Sequence, residues 1–251
     1  MFSANSEFIA LGGDDRSVSV WRTASGQRER ELANLDSSIH SLSFSPDGNW
    51  VAVGNGSGTI ELFDRRRANR STLFMGHTSA VHGLAFSNNG KRLYSAGGFD
   101  KRIGSWNTEN LGGIKRNVEH LEGWIGKHKD SVLALAVSKN GQQLVVGGYD
   151  KSMQVWDLQT EKPIAQFNTN GETIRELQFF GNDTKIISAA DDGFVRVWDV
   201  KTQTQSGAIA ASVGAVRSFS IHPDGTKLAV SGADKQVSTW DFQAALQSMS
   251  K

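Results

Sequence analysis

The sequence contains no cysteine. Disulfides, thiolate metal sites and a cysteine nucleophile are therefore excluded, and a reducing, cytoplasmic setting is expected. Proline is scarce, at 3 of 251 residues. Neither sign of charge is in excess: 27 basic side chains face 26 acidic ones, for a net charge of +1. That leaves no long-range attraction toward nucleic acid or anionic lipid. Long apolar runs are missing as well. The longest purely aliphatic run, Val132 to Val137, is far short of the ~20 residues that a helical membrane span requires. The opening residues Met1 to Glu7 carry neither a basic leader nor an apolar stretch, so no signal peptide is expected.

What is present is glycine, at 27 residues, and a repeat. Glycine supplies positive φ at no steric cost, as many short strands joined by tight turns require. The aromatic residues Trp21, Phe63, Trp106, Trp156, Trp198 and Trp240 recur at intervals of 42, 43, 50, 42 and 42. Each closes an alternating segment, such as Met153-Gln154-Val155-Trp156, which reads as a strand with two unlike faces. Turn residues keep the same phase in Ser45-Pro46-Asp47-Gly48, Ser87-Asn88-Asn89-Gly90, Ser138-Lys139-Asn140-Gly141, Gly181-Asn182-Asp183 and His222-Pro223-Asp224-Gly225. A second tight turn lies six residues before each aromatic. It carries Asp15, Asp100, Asp150, Asp192 and Asp234, with Ser57 as the exception. Each unit thus predicts strand a, turn, strand b, tight turn, strand c and a weaker strand d. Units of about 40–45 residues with four strands are propeller blades, and the periodic aromatics become their core.

Trp156-Asp157, Trp198-Asp199 and Trp240-Asp241 resemble the closing dipeptide of WD40 repeats, and Gly76-His77 resembles the pair that opens one. The resemblance runs through nearly the whole chain. Trp21-Arg22, Phe63-Asp64 and Trp106-Asn107 depart from it. The expected fold is all-β, a propeller of WD-type four-stranded blades. Six blades are visible, at about 2–34, 35–75, 76–126, 127–168, 169–210 and 211–251, within one domain spanning 1–251. Residues 1–6 align with 43–48 at an offset of 42, so the first blade is expected to lack most of strand a. The whole is then expected to be a fragment of a seven-bladed ring. The last residues are expected to form a short strand d or a helical turn.

The resemblance also implies functions. In such families the rim of the central channel binds partners. The residue after the first apolar position of strand a would be His40, His82, Leu133, Arg175 or Arg217. The residue two before it would be Ser38, Ala80, Ser131, Thr173 or Ala215. The residue before the tight-turn aspartate would be Asp14, Gly56, Phe99, Tyr149, Asp191 or Ala233. Phe99 and Tyr149 are placed as interface anchors. His40, His82, Arg175 and Arg217 suit an acidic or carboxylate-bearing segment, with Asp14 and Asp191 partly opposing that field. His77 and His128, with Asp100 and Asp150, resemble the family's buried structural network. Ser188 matches its serine, and Ser95 falls one position off the family's serine site. Weaker networks are expected in most blades.

The expected function is a non-catalytic scaffold for protein or peptide partners, with no catalytic residue, metal or cofactor. Two alternatives stand beside it. A lactonase- or hydrolase-type propeller enzyme would need several carboxylates or histidines converging near the axis. A nucleic-acid-associated propeller would use Arg65-Arg66-Arg67-Ala68-Asn69-Arg70, the one basic run, although that run lacks interleaved aromatics. Membrane and small-molecule substrates are not expected. The third unit carries about eight extra residues between Asn107 and Gly126, and Trp124 within it is expected to pack on the outer strand.

Overall fold

The computed structural model describes residues 1–67, 71–109, 111, 120–169, 171–222, 224–242 and 244–245. The chain divides into two compact units, Met1–Val132 and Leu133–Lys251. Both are built from antiparallel meanders, as the alternating segments and glycine turns dictate.

In the first unit, β1 (Phe8–Gly12), β2 (Ser17–Arg22) and β3 (Arg28–Asn34) form a three-stranded sheet. A single bridge, Phe2 to Ile9, stands where strand a of this sheet is expected. The second sheet is β4 (Ile39–Phe44), β5 (Trp50–Asn55), β6 (Ile60–Asp64) and β7 (Ser71–Phe74). The third is β8 (Val81–Phe86), β9 (Arg92–Gly97), β10 (Arg102–Asn107) and β11 (Leu121–Lys127). Strand β12 (Val132–Val137) opens the next sheet, with β13 (Gln143–Gly148), β14 (Ser152–Asp157) and β15 (Lys162–Asn168). The second unit continues with β16 (Ile174–Phe180), β17 (Lys185–Ala190), β18 (Phe194–Asp199) and β19 (Thr204–Ala210). Its last sheet is β20 (Val216–Ile221), β21 (Lys227–Gly232) and β22 (Val237–Asp241). Phe242, Ala244 and Ala245 are helical, so among the described residues the chain follows the helical-turn expectation rather than forming a strand d.

The register repeats. Trp21 pairs with Ile9, Phe63 with Val51, Trp106 with Leu93, Trp156 with Leu144, Trp198 with Ile186 and Trp240 with Leu228. The ring always stands opposite the second residue of strand b, leaving the apolar partner in phase for burial. The a–b turns close as their sequences demand. Gly48 and Gly225 take φ of 68° and 74°, and their N–H groups return to Ser45 and His222 carbonyls at 2.8 Å.

The rings enter cores formed with the preceding sheet. Phe63 joins Phe8, Val18 and Val20 of the first sheet, and Trp106 joins Ile60, Leu62 and Phe74 of the second. Trp198 joins Val155, Ala165 and Phe167 of the sheet before it, its ring edge-on to Phe167 at 5.9 Å. The expectation that all six aromatics are core needs correction at both ends. Trp21 and Trp240 are only partly buried. Trp240 belongs to β22, which has no described fourth strand beside it and exposes Val237 at 76%. Trp124 is not in an inserted loop packed on the outer strand but belongs to that strand, β11, and its ring stands edge-on to His77 at 5.0 Å and to Trp106 at 6.3 Å.

Trp198→Ala removes a ring that is 3% exposed and should lower unfolding free energy by roughly 3–5 kcal/mol. Trp21→Ala should cost clearly less. Denaturant titration of both variants checks the order.

Candidate partner-binding surface

The b–c turns are built first by local hydrogen bonds. The carboxylates of Asp15, Asp100, Asp150, Asp192 and Asp234 each accept the backbone N–H two residues on, at 3.1 Å. The residue between is left-handed, with φ of 65°, 63° and 59° at Arg16, Lys101 and Lys151. The second sheet solves the same problem differently. Ser57 holds the aspartate position, but the N–H that needs an acceptor, that of Thr59, donates to Asn55 Oδ1 at 3.2 Å, as does Ser57 N–H at 3.0 Å. Counting back from the aromatic overlooked Asn55. The Asn-Gly-Ser-Gly run was the signal.

One turn extends inward as a complete network. Asp100 accepts from His77 Nδ1 at 2.7 Å and from Thr78 N–H at 3.1 Å. His77 Nε2 lies 2.7 Å from Ser95 Oγ, and Trp106 Nε1 donates to the same oxygen at 2.8 Å. A carboxylate at Nδ1 keeps the proton there, leaving Nε2 to accept the serine hydroxyl. Ser95 is therefore a full member of the set. Its pairing with Gly104 matches that of Ser188 with Arg196, each two residues before the tryptophan. The extra residue lies further on: Ser95 to Asp100 spans five positions, Ser188 to Asp192 four. Spacings of this kind also occur in serine hydrolases. Ser95 is 0% exposed and already accepts an indole N–H, so no substrate reaches it.

The other sheets keep parts of this set, as expected. Trp198 Nε1 donates to Ser188 at 2.8 Å, while Asp192 turns to Arg196. Trp21 and Trp240 donate to Ser19 and Ser238 of their own strands. Asp234 accepts the N–H groups of Val213 and Gln236. His128 is buried like His77. Val146 occupies the serine position opposite Gln154, and Trp156 Nε1 is buried with no hydrogen-bond partner among the described residues.

Around this frame, strand a bulges. Its pairing with strand b skips one residue between Ile39 and Ser41, Val81 and Gly83, Ile174 and Glu176, and Val216 and Ser218. The skipped residues are His40, His82, Arg175 and Arg217. A bulge re-aims the side chain it carries, which sets these four apart from their neighbours. Three of them meet one another or the neighbouring turns. In the first unit, the His40 and His82 rings meet edge-on at 5.0 Å. His40 Nε2 lies 3.3 Å from where a Cβ on Gly56 would stand, and the His82 ring lies 3.1 Å from one on Gly98. In the second unit, Arg175 grips Asp191 through Nε at 2.7 Å and Nη2 at 2.6 Å, and its guanidinium lies over Tyr149 at 5.2 Å.

Several expected surface residues move. Ser131, Thr173 and Leu133 are buried, at 3%, 8% and 9% exposure, because backbone pairing beside the turns covers them. Thr173 offers only its carbonyl, to Asp191 N–H at 3.1 Å. Phe99 does not occupy the position assigned to it. Gly98 does, since its N–H bonds Ala80 O just as Gly56 N–H bonds Ser38 O. Phe99 is the extra residue of this turn, and it stands 83% exposed. Asp191 is tied to Arg175 rather than opposing it freely, whereas Asp14 is exposed.

The basic run is likewise reassigned. Arg65 bonds both Glu29 oxygens at 2.9 and 3.0 Å and the Gly48 carbonyl at 2.9 Å, and it covers the Phe8 ring at 3.8 Å. It is a structural clamp between sheets, not a free phosphate contact. Residues 68–70 lie outside the described residues. Among the described residues, no cluster of three or more His, Asp or Glu side chains fits a metal ion, and no helix is long and apolar enough to cross a membrane.

Phased aromatics, aspartate-locked b–c turns and the Trp–Ser–His–Asp set together define a WD-type β-propeller. A chain in the crystal structure of the mitotic checkpoint complex shares this fold with a TM-score of 0.85 at 22% identity, over 96% of this chain and 73% of that one. The family model for the nucleolar protein 10-like N-terminal domain matches residues 99–242, more than half the chain, and the chain belongs to that family. The model for the WD40 domain of anaphase-promoting complex subunit 4 matches residues 1–89. Among curated proteins, protein tipD of Dictyostelium discoideum is 25% identical over 158 residues, which is 63% of this chain. The U3 snoRNP-associated protein-like EMB2271 of Arabidopsis thaliana is 29% identical over 73 residues, 29% of this chain. This chain's matches span 17% and 15% of those two relatives.

Two substitutions test the buried set. Val146→Thr offers Trp156 Nε1 an acceptor and should raise stability by about 1 kcal/mol, read by calorimetry. Asp100→Asn should destabilise by roughly 1–3 kcal/mol at neutral pH. Burial pushes the Asp100 carboxyl up, but the hydrogen bond from His77 and the N–H groups of Arg102 and Thr78 hold it below the usual carboxylate value of 3.8. A depressed native pKa means stability present in full above the unfolded value and lost as pH falls below it. The gap between wild type and Asp100→Asn should therefore narrow below pH 3.8.

Proposed function

We propose that the chain is a non-catalytic scaffold that holds protein or peptide partners on the surface formed by its b–c turns and strand-a bulges. The observation that carries this reading is the bulged pair His40 and His82, whose rings meet at 5.0 Å in the first unit, beside the turn that carries an 83%-exposed phenylalanine. Propellers of the WD40 class are commonly interaction scaffolds, and one of the matched structures is a multi-protein checkpoint assembly. In the first unit the contact residues are Phe99, His82, His40 and Asp14. In the second they are Tyr149, Arg175, Asp191 and Arg217. Exposed aromatics beside polar groups are the usual anchors of such interfaces, and the cationic members favour a partner with an acidic segment. Lacking any thiol, the chain is suited to a reducing compartment, and a cytoplasmic location is part of this reading.

Phe99→Ala should weaken an isolated native complex by roughly tenfold or more. The melting temperature should stay within about 2 °C, since an exposed side chain adds little to stability. His82→Ala should act in the same direction. Affinity measured with the purified partner, alongside a thermal melt, decides the matter. Unchanged affinity for both variants would refute the surface, and a large fall in melting temperature would make these residues structural.

A further inference from the structure

Within the partner-binding reading, and resting on it, the geometry points to a carboxylate-recognition site in the second unit. Arg175, Arg217 and Tyr149 form it, and its ligand is an acidic peptide segment of a partner protein.

Placement comes first. Arg175 and Arg217 are the bulged residues of β16 and β20, the same position in successive sheets. The two strands are tied at that point. Glu176 Oε2 accepts the Phe219 N–H at 2.6 Å, one residue from Arg175 and two from Arg217. The equivalent pair in the first unit, His40 and His82, is close enough for ring contact at 5.0 Å.

Preorganisation comes second. Arg175 has five N–H donors in a rigid fork. Two are held by Asp191 at 2.6 and 2.7 Å, and the Tyr149 ring, 43% exposed, lies against the guanidinium. The side chain is thus fixed before any ligand arrives, which lowers the ordering cost of binding. Arg217 is exposed and has no ion pair or hydrogen bond among the described residues.

Charge comes third. Asp192 is paired with Arg196, Asp234 keeps its charge but is turned toward backbone N–H groups, and burial pushes the Glu176 carboxyl up toward its neutral form. The two arginines set against the directly bonded Asp191 leave +1 at the fork, which a single carboxylate balances. A phosphate brings close to −2 and would meet Asp191 with the excess. Tyr149 offers a single exposed aromatic ring beside the arginines, which suits a short peptide better than a stack of bases.

Fluorescence anisotropy with fluorescein-labelled octapeptides tests the site. One peptide carries six glutamates, a second six glutamines, and a third a single phosphoserine. The glutamate peptide should bind and the glutamine peptide should not. Arg217→Glu should weaken glutamate binding at least about tenfold without moving the melting temperature. Arg175→Lys keeps the charge but loses the fork, and should also weaken it. The assignment falls if the two uncharged-versus-acidic probes bind alike, if neither binds below about 1 mM, or if Arg217→Glu has no effect. A phosphoserine peptide binding far more tightly than the glutamate peptide would replace the carboxylate by phosphate. Any of these failures leaves the broader scaffold reading intact so long as Phe99→Ala still weakens the native complex.

Discussion

Each sheet of this protein has an apolar face that it cannot cover by itself. The structure depends on a recurring ring that fills the gap left by the sheet before it. Phe63, Trp106 and Trp198 each sit in a core whose other members come largely from the preceding sheet. The chain therefore cannot vary its repeat length freely. The ring must emerge opposite the second residue of strand b, and that register is set upstream by the b–c turn. The aspartate that accepts an N–H two residues on, and the left-handed residue between, fix the hairpin and thereby the ring. Burial supplies most of the stabilisation, and the turn chemistry decides which residues are buried.

Much of this was legible from spacing. Six rings at near-constant intervals, with turn residues and aspartates in phase, specify strands, hairpins and sheet order. Spacing along the chain does not carry across an inserted residue. By spacing Ser95 falls one position out of its network, while pairing with Gly104 puts it in. The same spacing puts Phe99 where Gly98 sits. Asn55 escaped notice because it does an aspartate's work from two positions earlier. Burial of Ser131 and Thr173 was not legible, because strand-end exposure depends on how closely the next turn folds over it. The half-exposure of Trp240 follows from a neighbouring strand, not from its own segment.

The candidate surface was legible as a list of residues but not as a mechanism. The sequence shows His40, His82, Arg175 and Arg217 in phase. It does not show that strand a bulges at each of them. A regular strand would alternate these side chains into the pleat beside buried neighbours. The bulge takes one residue out of the ladder and leaves its flanking apolar residues, such as Ile174 and Val216, in the core. Residues that leave the ladder and residues that pack in the core are thereby separated within three positions of the same strand.

The same separation recurs in the turn of the third sheet, and there it has an energetic logic. Asp100 faces inward and anchors the most complete hydrogen-bond network of the chain. Phe99, its immediate neighbour, faces outward with almost no contacts of its own. An exposed phenyl ring on a loose loop would fold back on the nearest apolar surface or lose its binding energy to disorder. Braced by Asp100 on one side and by the Gly98 bonds on the other, it stays presented. The network that looks like catalytic machinery is better understood as the support of the turn that carries Phe99. The extra residue that disturbs the repeat count is the one this support presents.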